Sequence, residues 1–386
     1  MGTLLKDLFS PELVAAMADN IALHYERFDR DRFVHVACHD MDKLELKQRS
    51  NQVLDALSAH LPREFSDAAT IIVNSLAPAP DGNINDITDP QQHPAGPGIR
   101  GWGIMPMADY IARHGQNNVE LSMDSLYHLT QRFTAEFAIR PFLMNHTEQT
   151  LAILAGWIND PNVHVRRLIS EGTRPRLPWG IRLPAFVQDP SPIVGFLTTL
   201  RDDRAEYVRR SVANSLNDIS KDHPDRVASI AKEWLQDAPE TRQRIIRHAC
   251  RSLLKQGHGP TLAALGFGPV NVTASDLVMK NSVVQLGGSV EFSLQIKNCE
   301  NISRDLMIDY AIHHRKANGS QTAKVFKWKK LRLKKDEQVA LSRRHPVRAI
   351  TTRKYYAGMQ RIEIMVNGHV VAQGEFDLQI QDMTQA

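Results

Sequence analysis

Glu136, Glu171, Asn214 and His248 stand at intervals of 35, 43 and 34 residues, each within a largely helical stretch. Polar side chains that return to one position of successive helical units can line a common wall. Asp218 lies four residues after Asn214, on the same helical face. Glu136 sits in FTAEFAIRPF among Phe133, Phe137 and Ile139. A carboxylate with such neighbours is costly to bury unless it is paired or holds a cation. Arg140, four residues on, offers a local ion pair as the plain alternative. Glu171 lies in RRLISEGTRPRLPWG, where Gly172 and Pro175 end the helix and leave the carboxylate at the terminus whose dipole disfavours an anion. Arg174 and Arg176 are close enough in sequence to compensate it. Carboxylates that converge could do acid–base work or stabilise developing positive charge. Trp179 follows Pro178 in a segment too rich in breakers for a helix. Its ring either caps the core or presents a face to a flat, cationic ligand.

The basic residues form a second pattern. Arg166, Arg167, Arg209, Arg210, Arg242 and Arg244 recur near the starts of equivalent helices. They suit either salt bridges between repeats or a ladder of phosphate contacts. The total charge is only +4, but it is uneven. Residues 271–386 hold 18 basic and 11 acidic side chains, so the rest of the chain is net acidic. Between His313 and Arg361 there are 15 Lys or Arg against Asp336 and Glu337, a field that attracts a polyanion or an anionic membrane surface. Its densest part is KVFKWKKLRLKK at 324–335, where Trp328 sits among the cations. On a strand, Lys327 and Lys329 share one face, with Lys330 beside them and Arg332 near that face or the adjoining turn. Tyr355 and Tyr356 beside Arg353 and Lys354 complete a nucleic-acid footprint.

Several function classes are absent. There is no Walker loop, dinucleotide fingerprint, GxSxG elbow, EF-hand loop or HExxH motif. Cys38, Cys250 and Cys299 are too far apart for a CxxC pair or disulfide framework. No metal or organic cofactor is demanded, which leaves catalysis by side chains alone. No apolar run approaches 18 residues, so no membrane span is expected. The start, MGTLLKDLFS, lacks the apolar core of a signal peptide, and the cytoplasm is the default location.

The elements that must position these residues fall into two classes. Up to about residue 265 the apolar period is helical. Leu4, Leu5, Leu8, Phe9, Leu13, Met17 and Ile21 begin it, and Leu44–Leu61 repeats it before Pro62. Residues 78–100 break it with Pro78, Pro80, Gly82, Pro90, Pro94, Gly96, Pro97 and Gly98. Helices at 150–159, 192–202 and 227–236, each followed by an Arg-bearing partner, give one pair every 34–43 residues, a HEAT-like array. From about Val272 the period becomes that of strands, with turn signals at Gly287-Gly288, Asn318-Gly319 and Asn367-Gly368. Seven or so short strands predict a β-sandwich. The expected architecture is therefore mainly α, a HEAT-like helical solenoid over 1–265 followed by an immunoglobulin-like β-sandwich over 272–382.

At EFAIRPF, HVRRLISEGTRPRLPWG and YVRRSVANSLNDISKDHP, and again at LLKDLFS and ELKQRS, the chain resembles the AlkC branch of bacterial DNA alkylation repair glycosylases, over nearly its whole length. The resemblance implies the HEAT-like fold with a C-terminal immunoglobulin-like domain. It also implies hydrolytic excision of cationic N-alkylated bases, notably 3-methyladenine, from duplex DNA, without extruding the lesion into a deep pocket. It places the acidic site residues at Glu136, Glu171 and Asp218, the active-site aromatic at Trp179 and an associated DNA-binding arginine at Arg167. The candidate DNA contacts are then Arg166, Arg167, Arg174, Arg209, Arg210, Arg244, Lys327, Lys329, Lys330 and Arg332. Double-stranded DNA with alkylated bases is the expected partner. No cofactor, metal, membrane or obligate protein partner is expected, and the enzyme would work at the bacterial nucleoid. The rival readings are a non-catalytic HEAT scaffold and a damage-binding module that does not cut.

Overall fold

The computed structural model describes residues 5–79, 97–351 and 353–380, so most of the breaker-rich stretch at 78–100 lies outside the described residues. The chain divides into two compact units, Met1–Asp222 and His223–Ala386.

Among the described residues the regular elements of the first unit are helices. Its helices are α1 (Pro11–Ala22), α2 (Arg30–Ala37), α3 (Leu46–His60), α4 (Phe65–Asn74), α5 (Ile104–His114) and α6 (Val119–Thr130). They continue with α7 (Arg140–Asn145), α8 (Thr147–Gly156), α9 (Val163–Gly172), α10 (Pro184–Gln188), α11 (Ser191–Leu200) and α12 (Glu206–Ile219). Local chemistry sets the ends. Ser10, Asp29, Asn118 and Asn162 each turn a side-chain oxygen onto an early amide of the helix that follows. Pro62 stops α3 by forcing Leu61 into an extended conformation. Successive helices pack on one another, α1 on α2, α2 on α3, α3 on α5 and α5 on α6, and α12 lies along α9 with α11 against both. Helices stand at both positions of the expected α8–α9 and α11–α12 pairs, and α11 packs on α12. None of the described helices is long and apolar enough to cross a membrane.

The second unit opens with the third pair, α13 (Pro224–Trp234) and α14 (Glu240–Ala249), then α15 (Arg251–Gln256) and α16 (Gly259–Ala264). Among the described residues nine strands follow: β1 (Val272–Ala274), β2 (Val278–Met279), β3 (Val283–Gln285), β4 (Ser289–Asn298), β5 (Arg304–Arg315), β6 (Gln321–Leu333), β7 (Gln338–Pro346), β8 (Gly358–Val366) and β9 (His369–Gln379). One sheet has β4 paired with β1, β2 and β7, and the other runs β3-β9-β8-β5-β6. All pairings are antiparallel except β3 with β9. Alternate residues of β4 (Val290, Phe292, Leu294, Ile296) face Ile308, Tyr310, Ile312, Ile362, Ile364, Phe376 and Leu378 of the other sheet in one core, which makes a sandwich. Asn367 and Gly368, with φ of 47° and 81°, turn β8 into β9 as their sequence predicts. The short β1 and β2 were not legible.

The helices group with the sheets for a physical reason. The middle of β5 is buried on both faces. On the outer face, Leu262 of α16 would meet any Cβ at Gly368 at 2.6 Å, and Asn367 Nδ2 donates to the Gly268 carbonyl at 2.8 Å. Lys330 of β6 lies 4.8 Å from the Phe267 ring centroid.

Two histidines inside the sandwich lead to a prediction. His314 and His345 are 7% and 8% exposed, and His345 Nδ1 shares a 2.8 Å hydrogen bond with the Tyr310 hydroxyl. Burial, reinforced by Arg353 beside His314 and Arg343 beside His345, pushes both imidazoles down to about 4. The unfolded chain takes up those protons near pH 6.5, so the neutral rings contribute fully above that pH and their contribution falls as the pH drops toward 4. The loss approaches ~3 kcal/mol per ring. Amide exchange in β5 should accelerate between pH 7 and pH 5, after correction for intrinsic rates, and His314→Gln should flatten the dependence. A protection factor equal at both pH values would contradict the assignment.

Candidate active site

The site forms where α9 ends. Asn162 starts this helix, and Thr173 ends it by bonding the Ile169 carbonyl through Oγ1 at 2.6 Å. Any side chain at Gly172 would lie 2.6 Å from Ile139 Cδ1, so glycine lets the helix end press against the turn before α7. The chain then runs through Pro175, Pro178 and Pro184 with no ladder to satisfy its carbonyls. Arg140, fully buried, supplies the missing donors. Its Nε reaches the Ile181 carbonyl at 2.6 Å, and its Nη1 reaches those of Gly172 and Arg174 at 2.7 and 2.9 Å. Burial and the repulsion of Arg174 bring this guanidinium down to about 10, so it remains charged at neutral pH.

The alternative Glu136–Arg140 pair is therefore not formed. Glu136 lies in a turn ahead of α7, with its amide bonded to Thr134 Oγ1 at 3.3 Å, and Arg140 points into the loop instead. The cation on Glu136 is Arg167, which bonds its Oε2 together with Thr134 Oγ1 at 3.0 Å. The same guanidinium reaches Glu171 Oε1 at 3.5 Å and lies 5.1 Å from the Tyr207 ring centroid. Arg174 Nη1 bonds Glu171 Oε1 at 2.5 Å, and its Nε bonds Asp218 Oδ2 at 2.8 Å. Lys221 closes the series on Asp218 Oδ1 at 2.8 Å. Ser211 of α12 donates to Glu171 Oε2 at 2.6 Å and accepts from Ser170 at 2.7 Å. Burial opposes charge on Glu171, but Arg167, Arg174 and Ser211 outweigh it and hold the carboxyl below its usual range. Glu171 is thus an anion with both oxygens engaged. Glu136 Oε1 has no partner among the described residues.

These groups border a cleft of about 340 Å³ lined by Leu46, Lys47, Trp102, Met105, Phe133, Thr134, Glu136, Phe137, Glu171, Arg174, Leu177, Pro178 and Trp179. Glu136, Glu171 and Trp179 come together there as the sequence suggests. Trp179 is 63% exposed and has φ 65°. Left-handed backbone costs a non-glycine residue about 1–3 kcal/mol. Asp218 is buried behind Arg174 and does not line the cleft. Asn214 is not among the lining residues, and His248 belongs to the second unit. Lys47, Trp102 and Met105 were missed as site residues. Lys47 lies in ELKQRS, but nothing in that segment points to a residue 132 positions away.

The candidate DNA contacts divide by environment. Arg166 is buried and bound to Asp203 at 2.6 and 3.0 Å and to the Asp160 and Pro161 carbonyls, so its role is to join repeats. Arg174 is also buried, Arg167 is partly so, and both bind carboxylates. Arg176, expected beside Glu171, pairs with Asp222 at 2.6 Å. Arg209 bonds the Asp203 and Arg204 carbonyls. Arg210 and Arg244 are exposed and hold only i,i+4 pairs with Glu206 and Glu240, which are weak and exchangeable. On β6 the extra residue Trp328 turns inward at a bulge, and Lys327, Lys329, Lys330 and Arg332 stay exposed. Among the described residues, no group of three or more His, Cys, Asp or Glu is placed to hold a metal.

Comparison with known proteins now bears on this geometry. Pseudomonas fluorescens alkylpurine DNA glycosylase AlkC, solved bound to DNA containing an abasic site analog, is 34% identical and superposes with a TM-score of 0.80, covering 98% of this chain and 100% of that one. The chain belongs to the AlkC family. An uncharacterized Bacillus subtilis protein, YhaZ, is 35% identical over 368 residues, 95% of this chain and 97% of its own. Residues 273–380 match the family described as the C-terminal Ig-like domain of uncharacterised protein YhaZ. The AlkC fold is thus a mainly helical body followed by an immunoglobulin-like β region.

Arg140 is the residue on which the local geometry depends most. Arg140→Met should destabilise the first unit by at least ~2 kcal/mol, since three charge-assisted bonds to backbone carbonyls, two of them buried, are lost. The checks are the urea midpoint and proteolysis, with cleavage appearing first at 174–183. An unchanged midpoint would remove Arg140 from this role.

Proposed function

We propose that the chain is a DNA glycosylase of base excision repair, hydrolysing the N-glycosidic bond of cationic N-alkylated bases, chiefly 3-methyladenine, in duplex DNA. The observation that carries this reading is that Glu136 and Glu171 share Arg167 at one cleft beneath the exposed Trp179. A scaffold needs no carboxylates converging on an open cleft. Membership of the AlkC family supplies the reaction class.

The chemistry follows from the substrate. Alkylation at a ring nitrogen leaves the base cationic, so it departs with the bonding electron pair as a neutral molecule and needs no acid. Positive charge grows on the deoxyribose as the bond breaks. Glu171, held ionised, stabilises that charge across the cleft. Glu136 uses its uncommitted Oε1 to orient water toward the anomeric carbon and to receive its proton. The water oxygen bonds that carbon and completes the abasic product. Trp179 offers its face to the cationic base or the sugar, and Asp218 fixes Arg174 from behind.

Glu171→Gln and Glu136→Gln should each slow single-turnover release of free base from methylated duplex at least about tenfold, a change of only ~1.4 kcal/mol in the barrier. DNA binding should remain largely intact. Wild-type protein that binds methylated DNA but releases no base would be a damage sensor. Protein that ignores DNA would be a scaffold.

The second unit is read as a DNA grip through β6. In the full chain, Lys327→Gln, Lys329→Gln and Arg332→Gln together should weaken duplex binding and reduce the slope of log K against log salt by about 2–3. An unchanged slope would assign the phosphate contacts elsewhere.

A further inference from the structure

The segment 175–180 carries Trp179, and its side-chain anchors precede that residue: Arg176 pairs with Asp222, and Leu177 is buried. Arg140 ties down residues 172, 174 and 181, on either side of it. Within it, backbone bonds run only from Gly180 N to the Leu177 carbonyl and from Leu183 N to the Pro175 carbonyl, both at 3.2 Å. The indole is largely exposed, so packing cannot keep its backbone in the left-handed region. One side chain among the described residues donates to this segment. Lys47, from the first turn of α3, bonds the Trp179 carbonyl at 2.7 Å and itself borders the cleft. Asp109 of α5 exerts an electrostatic pull on the same ammonium group, as it does on Arg113.

We infer that Lys47 is a positioning residue for Trp179, fixing the aromatic wall of the cleft from the far N-terminal helices of the same unit. The inference rests on the glycosylase reading for its consequence and on geometry alone for its placement. A lysine at the rim of a DNA-facing cleft has an obvious competing role, that of a phosphate contact. The two roles differ in what they couple to. A positioning lysine acts only through Trp179. A phosphate contact acts whatever residue stands at 179, and it contributes to the salt dependence of binding.

The experiment compares Lys47→Met, which keeps the apolar stem, with Lys47→Arg, which keeps a donor, in wild-type and Trp179→Ala backgrounds of the full chain. Lys47→Met should lower the single-turnover excision rate about fivefold to tenfold, with melting temperature and salt slope unchanged. Lys47→Arg should recover most of the rate, and Lys47→Met should add nothing in the Trp179→Ala background. Equal losses in both backgrounds, or a salt slope reduced by about one, would overturn the inference in favour of a phosphate contact. A second readout needs no activity. In protein labelled with 5-fluorotryptophan, the Trp179 fluorine resonance, identified by its loss in Trp179→Ala, should shift or broaden in Lys47→Met and stay in place in Lys47→Arg. The other tryptophan signals should not move. An unmoved Trp179 resonance would reject the positioning role. Failure of wild type to release base, with the resonance still responding, would reject the glycosylase reading and leave the Lys47 contact standing.

Discussion

Alternation of charge through the α9–α12 interface is the constraint on which this site depends. Glu136, Arg167, Glu171, Arg174, Asp218 and Lys221 follow one another so that each inner member touches an opposite charge on both sides. An ion pair in isolation seldom repays the loss of water from both partners. A chain shares each charge between two neighbours, and here Ser211 and Thr134 take up further carboxylate lone pairs. Removing any inner member strands a buried charge, so the packing of α9 on α12 and the shape of the cleft stand or fall together. The same arrangement explains why so few arginines are left to meet DNA from the helical ladder. Arg166, Arg167 and Arg174 are the cations that make a carboxylate-bearing interface foldable.

That division also marks how far the sequence was legible. Helical period, breakers and turn pairs were enough for the two architectures, because each is local. The spacing between Glu136 and Glu171 was informative because repeats convert sequence distance into spatial neighbourhood. Partner choice was not legible. Arg140 looks like a helical i,i+4 partner for Glu136, yet Pro141 starts α7 so late that Glu136 stands in the preceding turn. Arg140 then answers a demand visible only in three dimensions, the unpaired carbonyls of a proline-rich loop. The arginine ladder divides in a related way. Spacing shows that a cation recurs on a helix, but a nearby Asp203 decides whether it faces solvent or a neighbouring repeat. Lys47 left no local signal, because its partner is a backbone carbonyl, which every residue has.

The basic strand meets two constraints with one set of residues. β6 is the outermost strand of its sheet and is 13 residues long, a length that would invite pairing with another chain. Exposed lysines along such an edge repel a second copy, and the bulge at Trp328 bends the strand away from a flat template. The cations that guard the edge form a compact positive strip of the kind a phosphate backbone attracts. Edge protection alone would be served by one or two charges. Seven in 12 residues exceed that need, which favours a polyanion as the reason for the excess.

The proton inventory of the cleft bears on which lesions the proposed enzyme can release. Its ionisable lining residues are Lys47, Glu136, Glu171 and Arg174. Glu171 and Asp218 hold Arg174 in its charged form against burial, Glu171 is held as an anion, and Glu136 is bonded to the Arg167 guanidinium. His164 lies behind them, and burial brings its imidazole down to about 4, which keeps it neutral. Among the described lining residues, each carboxylate is bound to an arginine, an arrangement unlike the desolvated carboxylic acid that a neutral glycoside requires. A base that arrives without charge would have to leave as an anion, and this cleft has little to offer it. A base already cationic leaves neutral, and the only charge left to manage is on the sugar. Discrimination between damaged and normal bases would then reside in the lability of the bond, with the two carboxylates amplifying a difference the lesion itself creates.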